Sequence, residues 1–445
     1  MREKRIVIIG MGTAAAGAAA AINHTNPRAE VSIIEKRNYE MYSPCSLPFA
    51  LEGRLDFESL KHDFPARGPK TKVYLNTEAV KIDTHRKEVM VKNQGGHRAL
   101  SYDSLIIATG ARPVIPPIAN VTEFMGTHTY APYTWEDVFL LDRTKSKIRK
   151  VTTIGAGAIG VEFAVALRMQ GLEVRIVEIM GQVFPNALDS DMARHVQEYL
   201  TAEGITVLTN SVVEKAEGTH RIEGIIIGKE TYDTDLVILA CGTLPNIEWV
   251  KDFGIACNEN GIITNKRMMT NIPGIYSAGD CVETYHALTG KRCRSLLAVP
   301  ARNQGRVAGI NATGGRVLYR GTMNTSISVI GDHAVGSTGL TAEQARQEGY
   351  KLVMQKARGH NKPVWYPGHR EVIVKLIADK RGKLLGGQVF GEKLAVKNRI
   401  DIISAYLSAK GNLRDMVKGE LAYCPDIASI PDPLTTAVDF MLRRI

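Results

Sequence analysis

One local pattern occurs twice in the chain and constrains its fold more than any other feature. An apolar run rich in Ile and Val ends in closely spaced glycines, a helix-like stretch follows, and a further apolar run ends in an acid. The first copy runs from Ile6 through Gly10 and Gly12 to Glu35, and the second from Val151 through Gly155, Gly157 and Gly160 to Glu178. Apolar runs of this kind suit strands buried on both faces of a parallel sheet. Their repetition predicts two separate strand, turn, helix and strand units of the α/β type.

The glycines have distinct tasks. The first permits a tight turn, the second lets the backbone approach a pyrophosphate at the positive end of the next helix, and the third allows close helix–strand packing. The second copy carries all three, with Ile159 just before the last, whereas the first has Ala15 at the third position, which the pattern tolerates. Each acid lies a little over twenty residues past its first glycine, where a carboxylate can bind a pair of ribose hydroxyls. The candidate nucleotide-binding residues are therefore Gly10, Gly12, Glu35 and the adjacent Lys36 in one unit, and Gly155, Gly157, Ile159, Gly160 and Glu178 in the other. The basic start, Met1 to Arg5, followed by an alanine-rich run, imitates a signal peptide. The glycine spacing and the strand leading to Glu35 account for the same residues.

The repetition continues downstream. Leu105 to Pro113 and Leu236 to Pro245 are both apolar strands ending in small-residue turns, Ala108-Thr109-Gly110 in one and Gly242 in the other. The segment Thr270 to Cys281 supplies a further strand ending in Gly279 and Asp280, an acid suited to a ribityl or ribose hydroxyl.

At 445 residues the chain has material for two to four domains. No apolar stretch reaches the roughly 20 residues needed to span a bilayer. The net charge of +10 and pI of 9.2 are spread along the chain without a nucleic-acid-binding motif, which favours phosphorylated small ligands. Neither nucleic acid nor a membrane is expected as a partner. Six cysteines occur without a CxxC pair or metal-like spacing, so neither a metal site nor a disulfide framework is expected, and a reducing cytoplasmic location is.

On these motifs the chain resembles the flavoprotein pyridine nucleotide-disulphide oxidoreductases over essentially its whole length. The resemblance implies an α/β fold of two Rossmann-like three-layer nucleotide-binding domains plus an α+β C-terminal dimerisation domain. It implies an FAD-binding domain split over residues 1–114 and 245–318, an NAD-binding domain with its connecting segment at 115–244, and a dimerisation domain at 319–445. Gly10, Gly12, Glu35, Lys36, Ala108, Thr109, Gly110, Gly279, Asp280 and Ala298 would then serve FAD. Gly155, Gly157, Ile159, Gly160, Glu178 and Gly242 would serve NADH, with NADPH a second candidate that the Glu178 charge disfavours. Glu162, one turn into the second helix, is expected near the nicotinamide or as a charge complementing the helix dipole.

The number of sulfurs narrows the branch. Relatives carry C-x4-C or CxxC pairs where this chain has only Cys45, in Tyr42-Ser-Pro-Cys-Ser46. The resemblance is to the single-cysteine branch, which includes coenzyme A disulfide and persulfide reductases and NADH oxidases and peroxidases. Thr13 stands where the oxidases and peroxidases place a histidine. Tyr423-Cys-Pro425 resembles the coenzyme A disulfide reductase segment whose tyrosine reaches the partner subunit's active site, and Tyr366 resembles that group's other active-site tyrosine. Three positions depart from the branch: Met41 replaces a serine, and Ala21 and His24 stand where coenzyme A users carry Gln and Arg.

The expected activity is NAD(P)H-dependent reduction of a small disulfide or persulfide, with coenzyme A as the substrate thiol and a homodimer sharing its active site. Cys45, Tyr423 and Tyr366 are the expected catalytic residues, with electrons passing from NADH through FAD to a Cys45 mixed disulfide. Pro48 predicts a helix starting just after Cys45, whose N-terminus would favour the thiolate. Cys424 would set a second thiol beside Tyr423. Two alternatives stand alongside: an NADH oxidase or peroxidase working through a cysteine sulfenic acid, and a non-catalytic redox-sensing flavoprotein.

Overall fold

The computed structural model describes residues 3–445; Met1 and Arg2, the first two residues of the expected FAD-binding segment, lie outside the described residues. The first repeat forms β1 (Arg5–Ile9), α1 (Thr13–Thr25) and β2 (Glu30–Ile34), followed by α2 (Leu47–Leu51), β3 (Thr71–Tyr74) and β4 (Ser104–Ile107). After β5 (Thr129–Tyr130), the second repeat forms β6 (Lys150–Ile154), α3 (Ala158–Met169) and β7 (Glu173–Val177). Then come α4 (Ser190–Ala202), β8 (Ile205–Leu208), β9 (Leu236–Leu239), β10 (Ile275–Ser277) and α5 (Ala298–Ala312). The C-terminal part holds β11 (Ser326–Ile330), β12 (His333–Gly339), β13 (Leu352–His360), β14 (Glu371–Asp379), β15 (Leu384–Glu392), α6 (Lys393–Ser408) and α7 (Pro433–Leu442).

These elements fall into two compact units. One takes in the chain up to Pro44, Asp56–Arg112 and Thr243–Thr322. Its core is a parallel sheet in the order β10-β4-β1-β2-β3. Ile6 to Ile9 are all buried, as continuous apolar strands covered on both faces must be. The alanine-rich α1 packs closely on α5, and Ala15, Ala18 and Ala19 have no exposed surface.

The other unit comprises Cys45–Leu55, Pro113–Gly242 and Met323–Ile445. It contains a second parallel sheet, ordered β5-β9-β6-β7-β8, and an antiparallel sheet ordered β11-β12-β15-β14-β13 against which α6 and α7 pack. The architecture is thus two Rossmann-like parallel sheets and a C-terminal α+β domain, as the family resemblance implies. One residue breaks the apolar rule: Lys375 sits in the middle of β14, where every residue from Val372 to Ala378 is buried.

Candidate active site

The two glycine turns are built alike. Gly10 and Gly155 take φ of +96° and +102°, and a Cβ on either would overlap the backbone carbonyl of the neighbouring strand end, Ala108 in one sheet and Ala240 in the other. Only glycine meets both demands. Each acid falls one residue past its strand and braces its turn. Glu35 Oε2 accepts the Met11 N–H at 3.1 Å and Glu178 Oε2 the Ala156 N–H at 2.7 Å, while the other oxygens accept from Arg37 N–H at 3.0 Å and Met180 N–H at 2.8 Å. The helices that follow, α1 and α3, start at Gly12 and Gly157 with no side-chain cap and no acid in the first turn. In contrast, α6 and α7 are capped by Glu392 and Asp432. The uncapped first-turn N–H groups of α1 and α3 suit an anionic ligand such as a pyrophosphate.

In the first unit the residues expected at FAD come from neighbouring strand ends. Gly10, Glu35, Ala108 and Gly279 follow β1, β2, β4 and β10, which lie side by side and parallel, so their carboxyl ends share one edge. Thr109 and Asn246 exchange side-chain-to-backbone bonds, Oγ1 to the Asn246 carbonyl and Nδ2 to the Thr109 carbonyl, both 3.0 Å, and the Asn246 N–H donates to Gly110. The Gly279 N–H donates to Gln304 Oε1 at 2.8 Å. Burial pushes the Asp280 carboxyl up to about 6, tempered by the Arg294 charge. Ala298 is exposed at the first position of α5.

Lys36 is exposed, and its neighbour Arg37 carries the local structure instead. The Arg37 guanidinium donates to Glu35 Oε2 at 2.7 Å and lies over the rings of Tyr39 and Tyr42 at 5.2 and 5.1 Å. Arg37, Asn246 and Gln304 belong to this edge although no sequence motif includes them as ligands. The close spacing of Arg37, Tyr39 and Tyr42 is the signal for the first; Asn246 acts on Thr109 across 137 residues, and Gln304 meets Gly279 across 25 with no motif of its own.

In the second unit, Gly155, Glu178 and Gly242 lie just past the ends of the adjacent strands β6, β7 and β9, and the Gly242 carbonyl accepts the Val114 N–H at 2.9 Å. Gly160 is buried, while Ile159 is exposed. After Glu178 come the exposed apolar residues Ile179 and Met180, and no Lys or Arg occurs before Arg194. The chain then folds back, and the Phe184 N–H donates to the Ala156 carbonyl at 2.8 Å. A cavity of about 230 Å³ opens beside the turn, lined by residues including Gly157, Ala158, Phe184, Asn186, Ser328 and Ser337. Burial pushes the Glu162 carboxyl up to about 7, offset in part by bonds it accepts from the Ser328 hydroxyl and the Val329 N–H.

Cys45 is exposed in a single 3-10 turn, Pro44–Ser46, and α2 begins two residues later with Pro48 in its first turn. The segment is anchored within the second unit: Lys145 Nζ donates to the Leu51 carbonyl at 3.4 Å, and α2 packs on α3. The remaining thiols of the nucleotide-binding parts are sheltered. Burial pushes Cys241, Cys257 and Cys293 up to about 11 and raises Cys281 as well.

Tyr366 and the Tyr423 segment meet at the surface of the C-terminal domain. A hydrogen bond to Asp426 holds the Tyr366 phenol above its ordinary range, with a smaller contribution from Cys424. Lys362 Nζ lies 3.2 Å from Asp426 Oδ1 and 5.2 Å from the centre of the Tyr366 ring. Tyr423 and Cys424 are exposed, as are Trp365, Ile427 and Ile430.

Two parallel sheets, each with a braced glycine turn and an uncapped helix, define an enzyme class that handles two dinucleotides. The chain belongs to the pyridine nucleotide-disulphide oxidoreductase family: residues 4–305 match that family's model, and residues 325–432 match its dimerisation domain. It is accordingly an oxidoreductase of an FAD- and NAD(P)H-binding fold family. It is 35% identical to an NADH oxidase of Methanocaldococcus jannaschii, with 99% of each chain covered. It is 33% identical to an NAD(P)H coenzyme A polysulfide/persulfide reductase of Pyrococcus horikoshii, covering 97% of each. The solved NAD-dependent persulfide reductase from A. fulgidus superposes with a TM-score of 0.92 at 30% identity, over 99% of this chain and 83% of that one. Among the described residues, no helix is long and apolar enough to cross a membrane.

Proposed function

We propose that the chain uses NADH to reduce a small-molecule disulfide or persulfide at Cys45, with coenzyme A as the small thiol. The observation that carries this reading is the contrast among thiols: outside the C-terminal domain only Cys45 is exposed, at the head of α2. The persulfide-reducing relatives in Pyrococcus and A. fulgidus support it.

FAD would be held at residues 1–114 and 245–318 by Gly10, Gly12, Glu35, Lys36, Ala108 to Gly110, Gly279, Asp280 and Ala298. NADH would be held within 115–244 by Gly155, Gly157, Ile159, Gly160, Glu178 and Gly242. The fit to a dinucleotide rests on the uncapped N–H groups of α1 and α3 and on the half-buried Asp280 carboxyl. When bound, the flavin supplies two-electron transfer between dihydronicotinamide and sulfur. Glu178, with no Lys or Arg between it and Arg194, disfavours the extra phosphate of NADPH.

At Cys45 the thiolate attacks one sulfur of R–S–S–R or the inner, R-bonded sulfur of R–S–SH. The S–S bond breaks, RS⁻ or HS⁻ leaves, and Cys45–S–S–R forms. Two electrons and two protons then return the Cys45 thiol and release RSH. Tyr366 and Tyr423, acting in the partner's site of a homodimer with residues 319–445 at its interface, would donate hydrogen bonds to the leaving thiolate.

A second reading, NADH oxidation by oxygen or peroxide, is favoured by the Methanocaldococcus relative's name. Thr13 in the first turn of α1 weighs against it, because a hydroxyl is a poor acid–base group near neutrality. The test is steady-state NADH oxidation with coenzyme A disulfide, coenzyme A persulfide, peroxide and oxygen, for wild type and Cys45→Ser. Turnover with a sulfur acceptor that the substitution abolishes, with a coenzyme A adduct on Cys45 by intact mass, supports the reading. Turnover confined to oxygen or peroxide overturns it.

A further inference from the structure

A polar clamp outside the residues assigned above joins the start of α4, which follows β7, to the antiparallel sheet. Lys375, 6% exposed in the middle of the otherwise apolar β14, places Nζ 2.8 Å from Asp189 Oδ2 and 2.5 Å from Asp191 Oδ1. Gln388, 1% exposed on the neighbouring β15, donates from Nε2 to Asp189 Oδ2 at 3.0 Å and accepts the Asp189 N–H on Oε1 at 3.0 Å. Asp189 Oδ1 accepts the Ala342 N–H at 2.8 Å. Lys356, opposite Lys375 on β13, lies 3.6 Å from Asp191 Oδ2.

A lysine in the centre of a buried strand is not there for sheet stability, because apolar residues of similar volume would serve as well or better. What the clamp holds is specific. Asp189 ends the loop that begins at Glu178, and Phe184 in that loop donates its N–H to Ala156 in the glycine turn while taking φ of +48°. Phe184, Asn186, Ala187 and Leu188 form one wall of the cavity beside Gly157, and Ser326, Ser328 and Ser337 of the antiparallel sheet form another.

We infer that Lys375 and Gln388 are positioning residues for the pyridine nucleotide: they pin Asp189 and thereby hold the 179–189 loop against the glycine turn that binds it. Neither touches the nucleotide; they act through Asp189 and Phe184. The inference rests on the reading that residues 155–178 bind NADH, and its test separates the two.

The double substitution Lys375→Met with Asp189→Asn removes the clamp without leaving an unpaired buried charge, and Gln388→Met gives a second, milder variant. In the flavin-loaded enzyme, anaerobic rapid mixing with a series of NADH concentrations gives the NADH Kd and the limiting rate of flavin reduction separately. Expected is a Kd raised about tenfold in the double variant and about threefold in Gln388→Met, with the limiting rate within about twofold of wild type in both, and a Tm near wild type for Gln388→Met. Unchanged Kd in either folded variant, while Glu178→Ala weakens NADH, overturns the inference alone. Unchanged Kd in Glu178→Ala overturns the reading of the site and the inference with it.

Discussion

Glu178 and Ala156 are joined by a 2.7 Å hydrogen bond from the Ala156 N–H to Glu178 Oε2. The acid that closes the second repeat therefore also shapes the turn that opens it, and both groups are buried. Replacing Glu178 by Ala leaves the Ala156 N–H unpaired, at a cost of about 1–3 kcal/mol in folding stability. The same variant is expected to raise the KM for NADH about tenfold, since it also removes the carboxylate proposed for the ribose. Thermal unfolding and steady-state kinetics check the two halves independently; a wild-type KM would remove Glu178 from the nucleotide site.

Ile179 is 66% exposed immediately after that acid. Ile179→Arg would set a guanidinium where the extra phosphate of NADPH is expected. The ratio of kcat/KM for NADPH to that for NADH should rise about tenfold, the size of one charge-assisted contact. An unchanged ratio would mean that the phosphate binds elsewhere.

Gly10 combines φ of +96° with carbonyl contact to Ala108. Gly10→Ala should cost about 1–3 kcal/mol of backbone strain and reduce the flavin retained on purification. Full flavin content at wild-type Tm would contradict the turn's proposed role.

Glu162 gives a pH dependence. Its folded-state value is raised from 4.5 to about 7 by burial, so the folded protein holds this proton more tightly than the unfolded chain does. The associated stabilisation is complete below pH 4.5 and lost as pH rises through about 7. The Tm of wild type should therefore fall relative to that of Glu162→Gln between those limits. A constant difference between the two proteins across that window would refute the assignment.

The parallel sheets were legible because buried strands leave continuous Ile and Val runs and because only glycine fits the turn between strand and helix. Ile6 to Ile9 and Val151 to Ile154 show both signals. The pairing of Ile275–Ser277 with Ser104–Ile107 has no local signature; only the family resemblance predicted that the first sheet is completed so late in the chain. Around the candidate site, residues acting through their own turn could be listed from spacing alone. Asn246, bonded to Thr109, and Lys375, bonded to Asp189, could not, because each partner is more than a hundred residues away and a lone Asn or Lys carries no periodic signal. Lys375 was nonetheless visible as a charge inside Val372 to Ala378, an apolar run in which strand patterning leaves it no solvent face.

In the proposed reaction Cys45 passes electrons to sulfur. Anaerobic stopped-flow mixing of NADH-reduced enzyme with coenzyme A disulfide, coenzyme A persulfide, peroxide or oxygenated buffer tests it most directly, in wild type and Cys45→Ser. Fast flavin reoxidation by a sulfur substrate, lost in Cys45→Ser, is the expected result. Fast reoxidation by peroxide or oxygen only, or reoxidation by sulfur that survives the substitution, would contradict it.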